Sequence, residues 1–204
     1  MMKQLFNLKG TLCALFFFCA NLQANVVLQN DGILQQDLVM QLEGMGEEVR
    51  QKTGVNLSVA VLKNLQNKSL NDKANEFVKD LKSPYIFLFF TQDEHKIQIY
   101  NTNDTNKLFD KEQILSPMPN KGAIIPILVG RKKDANVTSI INAAILNGFA
   151  DIADQVADSK GIKLDTSIGN TNRIFVNILR YIFYGTLLFG LFMYFYSRKK
   201  KTNE

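Results

Sequence analysis

The stretch Tyr85-Ile86-Phe87-Leu88-Phe89-Phe90 is a continuous apolar run of strand length. A strand with one wet face alternates apolar and polar residues. A run without alternation predicts a strand covered on both faces, the middle of a sheet between layers of helix. Downstream, Thr91-Gln92-Asp93-Glu94-His95 is a polar turn, and Lys96 to Tyr100 alternates again, which predicts a hairpin. Upstream, Val55 to Leu62 alternates, with Val55, Leu57, Val59 and Val61 on one side, a second strand.

Helical spacing fills the intervals. Leu38, Leu42, Met45 and Val49 share one face of a helix from Gln35 to Lys52. Gly44 and Gly46 weaken that helix, and Thr53-Gly54 stops it. Asn30-Asp31-Gly32 before it has turn chemistry and is expected to open the domain. Ser69-Leu70-Asn71-Asp72 resembles a capping box with Asp in place of Glu. It opens a helix to about Leu81, with Leu70, Ala74, Phe77 and Leu81 inward, and Pro84 breaks the pattern. Leu108 to Leu115 reads as a short helix. Between Ser116 and Lys133, Pro117, Pro119, Gly122 and Pro126 argue for loop, yet Ala123 to Val129 is apolar. A buried irregular segment or a short strand is expected there. Asn136 to Ser159 is the longest helix, with Ile140, Ala144, Ile145, Phe149, Ile152 and Val156 as its core stripe. Asp151, Asp154 and Asp158 are expected on its exposed face. Gly161 to Asn172 reads as a polar linker. The order of elements predicts an α/β class domain, a central sheet layered between helices.

The ends of the 204-residue chain are of another kind. Residues 1–24 read as an export signal: Lys3 and Lys9, the short apolar run from Thr11 to Ala20, then a small residue, Ala24, at the cleavage position. Residues 173–197 read as one C-terminal transmembrane helix. Its stretch from Tyr181 to Tyr196 is sixteen residues without a charge, about 24 Å of helix. Starting at Ile174 makes it long enough to span, with Arg180 snorkelling at the outer interface. Residues 198–204 begin with Arg198-Lys199-Lys200-Lys201, a basic tail that marks the cytoplasmic side. Residues 25–172 are then an exported domain, expected in the periplasm of a bacterium and held at the inner membrane, with the lipid bilayer as one partner.

The net charge of +5 belongs to these ends. Residues 25–172 hold 16 Lys and Arg against 18 Asp and Glu. No basic face remains for nucleic acid, and no RNA- or DNA-binding motif is present. Cys13 and Cys19 both lie in the export-signal stretch, so the domain itself has no thiol for disulfides, redox chemistry or metal.

Candidate chemistry is sparse. His95 is the single histidine and sits in the hairpin turn, where it reads as solvated; no Ser-His-Asp or Cys-His set can be assembled around it. Gly122 to Gly130, followed by Arg131-Lys132-Lys133, lacks the spacing and hydroxyl of a phosphate-binding loop. The basic cluster reads as a solvated helix entrance, with contact to anionic lipid as the alternative. Asp93 and Glu94 in one loop, with Asp104 and Asp110 after the next strand, offer hard oxygen ligands for Ca²⁺ or Mg²⁺ if they converge, and are otherwise soluble turn residues.

Across about 150 residues the exported domain resembles the TPM-domain family. Asp31-Gly32-Ile33-Leu34 stands where that family has Asp and a Gly-Leu-Leu-like phrase. The stretch from Thr53-Gly54 to Val61, the hairpin from Tyr85 to Tyr100, Leu108-Phe109-Asp110 and the helix around Asn142 to Asp151 follow in the family's order. The resemblance implies an α/β/α layered domain, membrane anchorage, and a cleft that in relatives binds divalent metal with reported acid phosphatase activity. Two cleft phrases depart from the pattern. Lys82-Ser83-Pro84 replaces a polar Gly phrase, and Asn101-Thr102-Asn103-Asp104 replaces a Gly-Tyr-Gly-like one. Without those glycines the backbone loses close approach to a ligand. The expectation is therefore a non-enzymatic binding or assembly factor for an envelope protein or complex. The alternative is a metal-dependent phosphatase, Ca or Mg being the candidate cofactor, using Asp31, Asp93 and Asp104 as metal ligands.

Overall fold

The computed structural model describes residues 25–130, 136–167, 181–190 and 193. The export signal expected at 1–24, most of the apolar segment 173–197, the tail 198–204 and the cluster Arg131-Lys132-Lys133 lie outside them. Residues 181–190 are helical. Among the described residues no helix is long and apolar enough to cross a membrane.

Four strands form one sheet: β1 (Val27–Asn30), β2 (Asn56–Leu62), β3 (Tyr85–Thr91) and β4 (Lys96–Asn101), in the spatial order β1-β2-β3-β4. The first three are parallel and β4 is antiparallel to β3. The helices are α1 (Gln36–Thr53), α2 (Leu70–Val78), α3 (Lys111–Ile114), α4 (Ile125–Val129) and α5 (Val137–Ser159).

The apolar run of β3 is covered on both sides, as its lack of alternation predicts. Ile86, Leu88 and Phe90 join Leu57, Val59 and Val61 of β2 in a core shared with α1 and α5. Phe87 and Phe89 face the other way, with Ala60 and Leu62, into a smaller core under α2. There Phe77 of α2 lies 5.7 Å from the Phe87 ring and 6.0 Å from that of Phe89. The two crossovers step the same way across the sheet, yet α1 and α2 lie on opposite faces. Such a pair cannot share a hand, so one is the uncommon left-handed form.

Local signals end the helices where expected. Gly54 takes φ +76° and its N–H donates to the Arg50 carbonyl. The Ser69 hydroxyl accepts from the Asp72 N–H at 3.1 Å. The Asn136 side chain accepts from the N–H groups of Thr138 and Ser139 and opens α5.

Three expectations are corrected. A strand precedes the Asn30-Asp31-Gly32 turn. The Glu43 carboxylate on α1 accepts from the N–H groups of Val26 and Val27, at 3.0 and 2.9 Å, and so fastens this short edge strand. Gly46, a weak helix former, is what lets α1 lie on it: a Cβ there would stand 2.6 Å from both Val26 methyls. Ile125 to Val129 form a short helix, neither strand nor irregular segment, with Pro126 in its first turn. The acidic face of α5 is not free either. Asp154 is buried, and Asp151 accepts from Gln113 of α3, because α3 packs there.

The expected linker begins as part of the domain. Leu164 is buried. The Glu48 carboxylate accepts from the N–H of Thr166 at 2.9 Å and from that of Asp165, and Lys52 pairs with both Glu48 and Asp165. Burial alone would raise the Glu48 carboxyl. The Lys52 ammonium, the Thr166 hydroxyl and the two backbone N–H groups outweigh it and hold the group at about 2. A folded-state value below that of the unfolded chain stabilises the fold at pH values above the unfolded one, and the gain is lost as pH falls through the folded one. The Tm advantage of the native chain over Glu48→Gln is thus expected to be full at pH 6 and to shrink between about pH 4.5 and 2. Thermal scans across that range check it, and a pH-independent difference would contradict the ionic contact.

Candidate binding site at the carboxyl edge of the sheet

β1, β2 and β3 all end at one edge, where open α/β sheets gather their ligands. The loops after Asn30, Leu62 and Thr91 meet there. Asp31 donates its N–H to the Val61 carbonyl at 3.1 Å. Its carboxylate accepts from the Lys63 N–H at 2.9 Å and from Gln29 Nε2 at 2.8 Å. Asp93 donates its N–H to the Lys63 carbonyl and accepts from Asn64 Nδ2 at 3.4 Å. Glu94 Oε1 accepts from the Leu65 N–H at 2.9 Å, and this backbone bond is the largest of the effects that lower its carboxyl. Three carboxylates thus hold three successive residues, Lys63, Asn64 and Leu65. They satisfy the loop that leaves β2.

Asp104 is elsewhere. β4 runs back along β3, with Asn101 opposite Ile86, and Thr102 donates to the Tyr85 carbonyl. Asp104, in the 3₁₀ turn Asn103–Thr105, therefore stands at the amino edge. The seven residues of β3 put about 20 Å between the edges. Asp31 and Asp93 are brought together and Asp104 is not. Among the described residues no group of three or more His, Cys, Asp or Glu side chains is placed to hold a metal ion. The expected set does not fit Ca²⁺ or Mg²⁺, which need several convergent oxygens. Asp110 is engaged at the amino edge too, capping α3 through the Gln113 N–H at 2.9 Å.

Beside the acidic loop lies an apolar groove of about 430 Å³. Phe90 and Ile97 of the hairpin supply its floor. Ile125, Leu128 and Val129 of α4 form one wall, and Val137, Ile140 and Ile141 of α5 the other. Gln92, Asp93 and His95 make a polar rim at one end. His95 is exposed with φ +52°, and its Nδ1 contacts the Gln92 carbonyl. Val129 remains 74% exposed.

The α4 wall is set by packing beneath it. Ile124 is fully buried against α5 at Gly148, where a Cβ would stand 2.2 Å from an Ile124 side-chain carbon. Asn147 Nδ2 donates to the Ala123 carbonyl at 2.8 Å. In the apolar run from Ala123 to Val129, Ala123 and Ile124 are buried, Ile127 and Leu128 pack partly against the core, and Val129 is exposed. Sequence reasoning missed the groove. Its signal was Pro126, which divides that run.

A second, wider recess of about 740 Å³ opens at the amino edge, lined by Lys107, Asp110, Lys111, Glu112 and Asp158. It is shallow and charged, and burial lowers the Lys111 ammonium there. Ser159 also lines it, and its hydroxyl donates to the Val156 carbonyl at 2.7 Å.

These features define a mixed α/β domain: a four-stranded sheet between helical layers, with an apolar groove at its carboxyl edge. No known protein-family profile matches the chain. No curated protein matches it. Among solved structures, the N-terminal domain of a protein from P. gingivalis, determined in solution by NMR, is similar. The TM-score is 0.50 at 12% identity, over 67% of this chain and 85% of that one. At that identity the likeness concerns the fold alone.

Proposed function

We propose that this chain is a membrane-held binding or assembly module for another envelope protein, a TPM-like domain without a working hydrolytic centre. In this reading the domain stands in the periplasm of a bacterium, the segment 173–197 holds it in the inner membrane and the tail 198–204 is cytoplasmic. The observation that carries it is the groove. Its volume is that of a typical binding site and its walls are apolar, while its carboxylate neighbours are already engaged by the 63–65 loop. An apolar recess with a small polar rim suits recognition better than catalysis. The TPM-like part is supported by the order of helices and strands, which follows the family's. The phosphatase alternative requires Asp31, Asp93 and Asp104 on one edge, and Asp104 is on the other.

The test is a photo-crosslinking amino acid at Val129 in the full chain, expressed in its own cells. One discrete envelope protein is expected in the adduct. Ile140→Glu, which puts a charge into the groove, is expected to reduce that adduct at least tenfold, with the Tm of the domain shifted by only a few degrees. No discrete adduct, or an adduct indifferent to Ile140→Glu, rules out the groove as the binding surface.

A further inference from the structure

The groove and the point where the chain leaves the domain lie at opposite ends of α5. Val137, Ile140 and Ile141 in its first turns line the groove. At its other end Lys160 Nζ donates to the Thr53 carbonyl, which places that end at the amino edge of the sheet, where α1 finishes. From Ile140 to Ser159 the helix rises about 28 Å. The helix is firmly seated: Ile141, Ala144, Ile145, Phe149, Ile152 and Val156 are all buried along it.

The segment after α5 does not swing free. Glu48 accepts from the Asp165 and Thr166 N–H groups and from the Thr166 hydroxyl. Lys52 Nζ donates to the Lys163 carbonyl at 3.0 Å and to Asp165 Oδ2 at 2.8 Å. Glu48 and Lys52 are one turn apart on α1, so a single helix face grips three residues, Lys163, Asp165 and Thr166. The grip lies at the amino edge and the groove at the carboxyl edge.

We propose that Glu48 and Lys52 form a latch that fixes the direction in which the chain leaves the domain, so that α5 acts as a rigid spacer holding the groove about 30 Å from the latched residues. This rests on the reading that residues 173–197 are membrane-embedded. The consequence is a choice of occupant: the groove, set away from the latched end of the domain, meets the water-exposed part of a protein partner and not lipid acyl chains. A domain latched this way keeps the groove at the end opposite its exit point.

Two measurements on the full chain test it separately. In the first, amide hydrogen exchange is followed at Asp165 and Thr166. Exchange at least tenfold slower than in an unstructured peptide is expected at pH 7, and Glu48→Ala is expected to abolish that protection while leaving α5 protected. Unprotected amides in the native chain overturn the latch. In the second, Cys13 and Cys19 are replaced by alanine and a fluorophore is placed at Lys63→Cys, beside the groove, or at Lys163→Cys, inside the latch. The chain is reconstituted into phosphatidylethanolamine–phosphatidylglycerol vesicles carrying headgroup-spin-labelled lipid. Strong quenching at residue 163 and little at residue 63 is expected, and Glu48→Ala is expected to narrow the difference. Equal quenching at both positions in the native chain overturns the standoff. Quenching at neither position overturns membrane attachment and the standoff with it, while the latch is still judged by exchange alone.

Discussion

Phe87→Ala is expected to cost the domain about 3–5 kcal/mol, the usual range for emptying a buried aromatic site. Phe87 is fully buried in the middle of β3. Its ring stacks on Phe89 at 5.6 Å and lies 5.7 Å from Phe77 and 6.2 Å from Tyr100. A sheet strand on one side and a single short helix on the other have little freedom to collapse into the space, which favours the upper part of the range. Domains of this size hold about 5–15 kcal/mol in all, so much of the stability would go. The chain has no tryptophan, so urea unfolding followed by far-UV circular dichroism is the suitable measurement. Phe77→Ala is the comparison. Phe77 is only partly buried and should cost clearly less. A loss below 1 kcal/mol for Phe87→Ala would mean that the α2 layer does not enclose the sheet.

The second large effect is expected at Asn142, a buried polar residue on α5. Its Oδ1 accepts from the Gln35 N–H at 2.9 Å, and its Nδ2 donates to the carbonyls of Ile33 at 2.8 Å and Thr138 at 2.7 Å. One side chain thereby ties the longest helix to the loop between β1 and α1. Asn142→Ala is expected to cost about 1–3 kcal/mol, because Ile33 is buried and its carbonyl is left without a donor. Asn142→Asp should be worse at neutral pH. It keeps the acceptor but aims a carboxylate at two carbonyl oxygens. Its folded-state pKa must therefore be raised, and the deficit should shrink as pH falls and the protonated carboxyl recovers a donor. Parallel unfolding curves at pH 7 and pH 4 check this. An Asn142→Asp variant as stable as the native chain at pH 7 would refute the bonding pattern.

Both residues show how far a one-dimensional reading carries. The unbroken run Tyr85 to Phe90 identified the covered strand, and the spacing of Leu38, Leu42, Met45 and Val49 identified the α1 face that meets it. The position of Asp104 was also within reach. A hairpin returns the chain to the edge from which it came, so a residue after β4 cannot share an edge with one after β3. The three carboxylates Asp31, Asp93 and Asp104 do not converge for that reason. The role of Asn142 had no such signal. Nothing in the residues around it says that its partners are Ile33 and Gln35, more than a hundred positions earlier.

The same division holds across the molecule. Burial follows from the period of apolar residues along the chain, and caps follow from a few neighbouring side chains, so α1, α2, α5, β2 to β4 and their apolar faces are written in local order, while the short α4 and the contacts on the acidic face of α5 are not. β1 is four residues long and depends on Glu43, sixteen and seventeen positions away. The wall of the groove that α4 supplies follows on Ile124, which fits against α5 only because Gly148 has no Cβ. The latch exists because α1 and α5 end at one edge of the sheet. A hydrogen bond or a cavity between distant segments depends on where whole elements come to rest against each other. That placement results from packing the complete core, and no short window of sequence contains it.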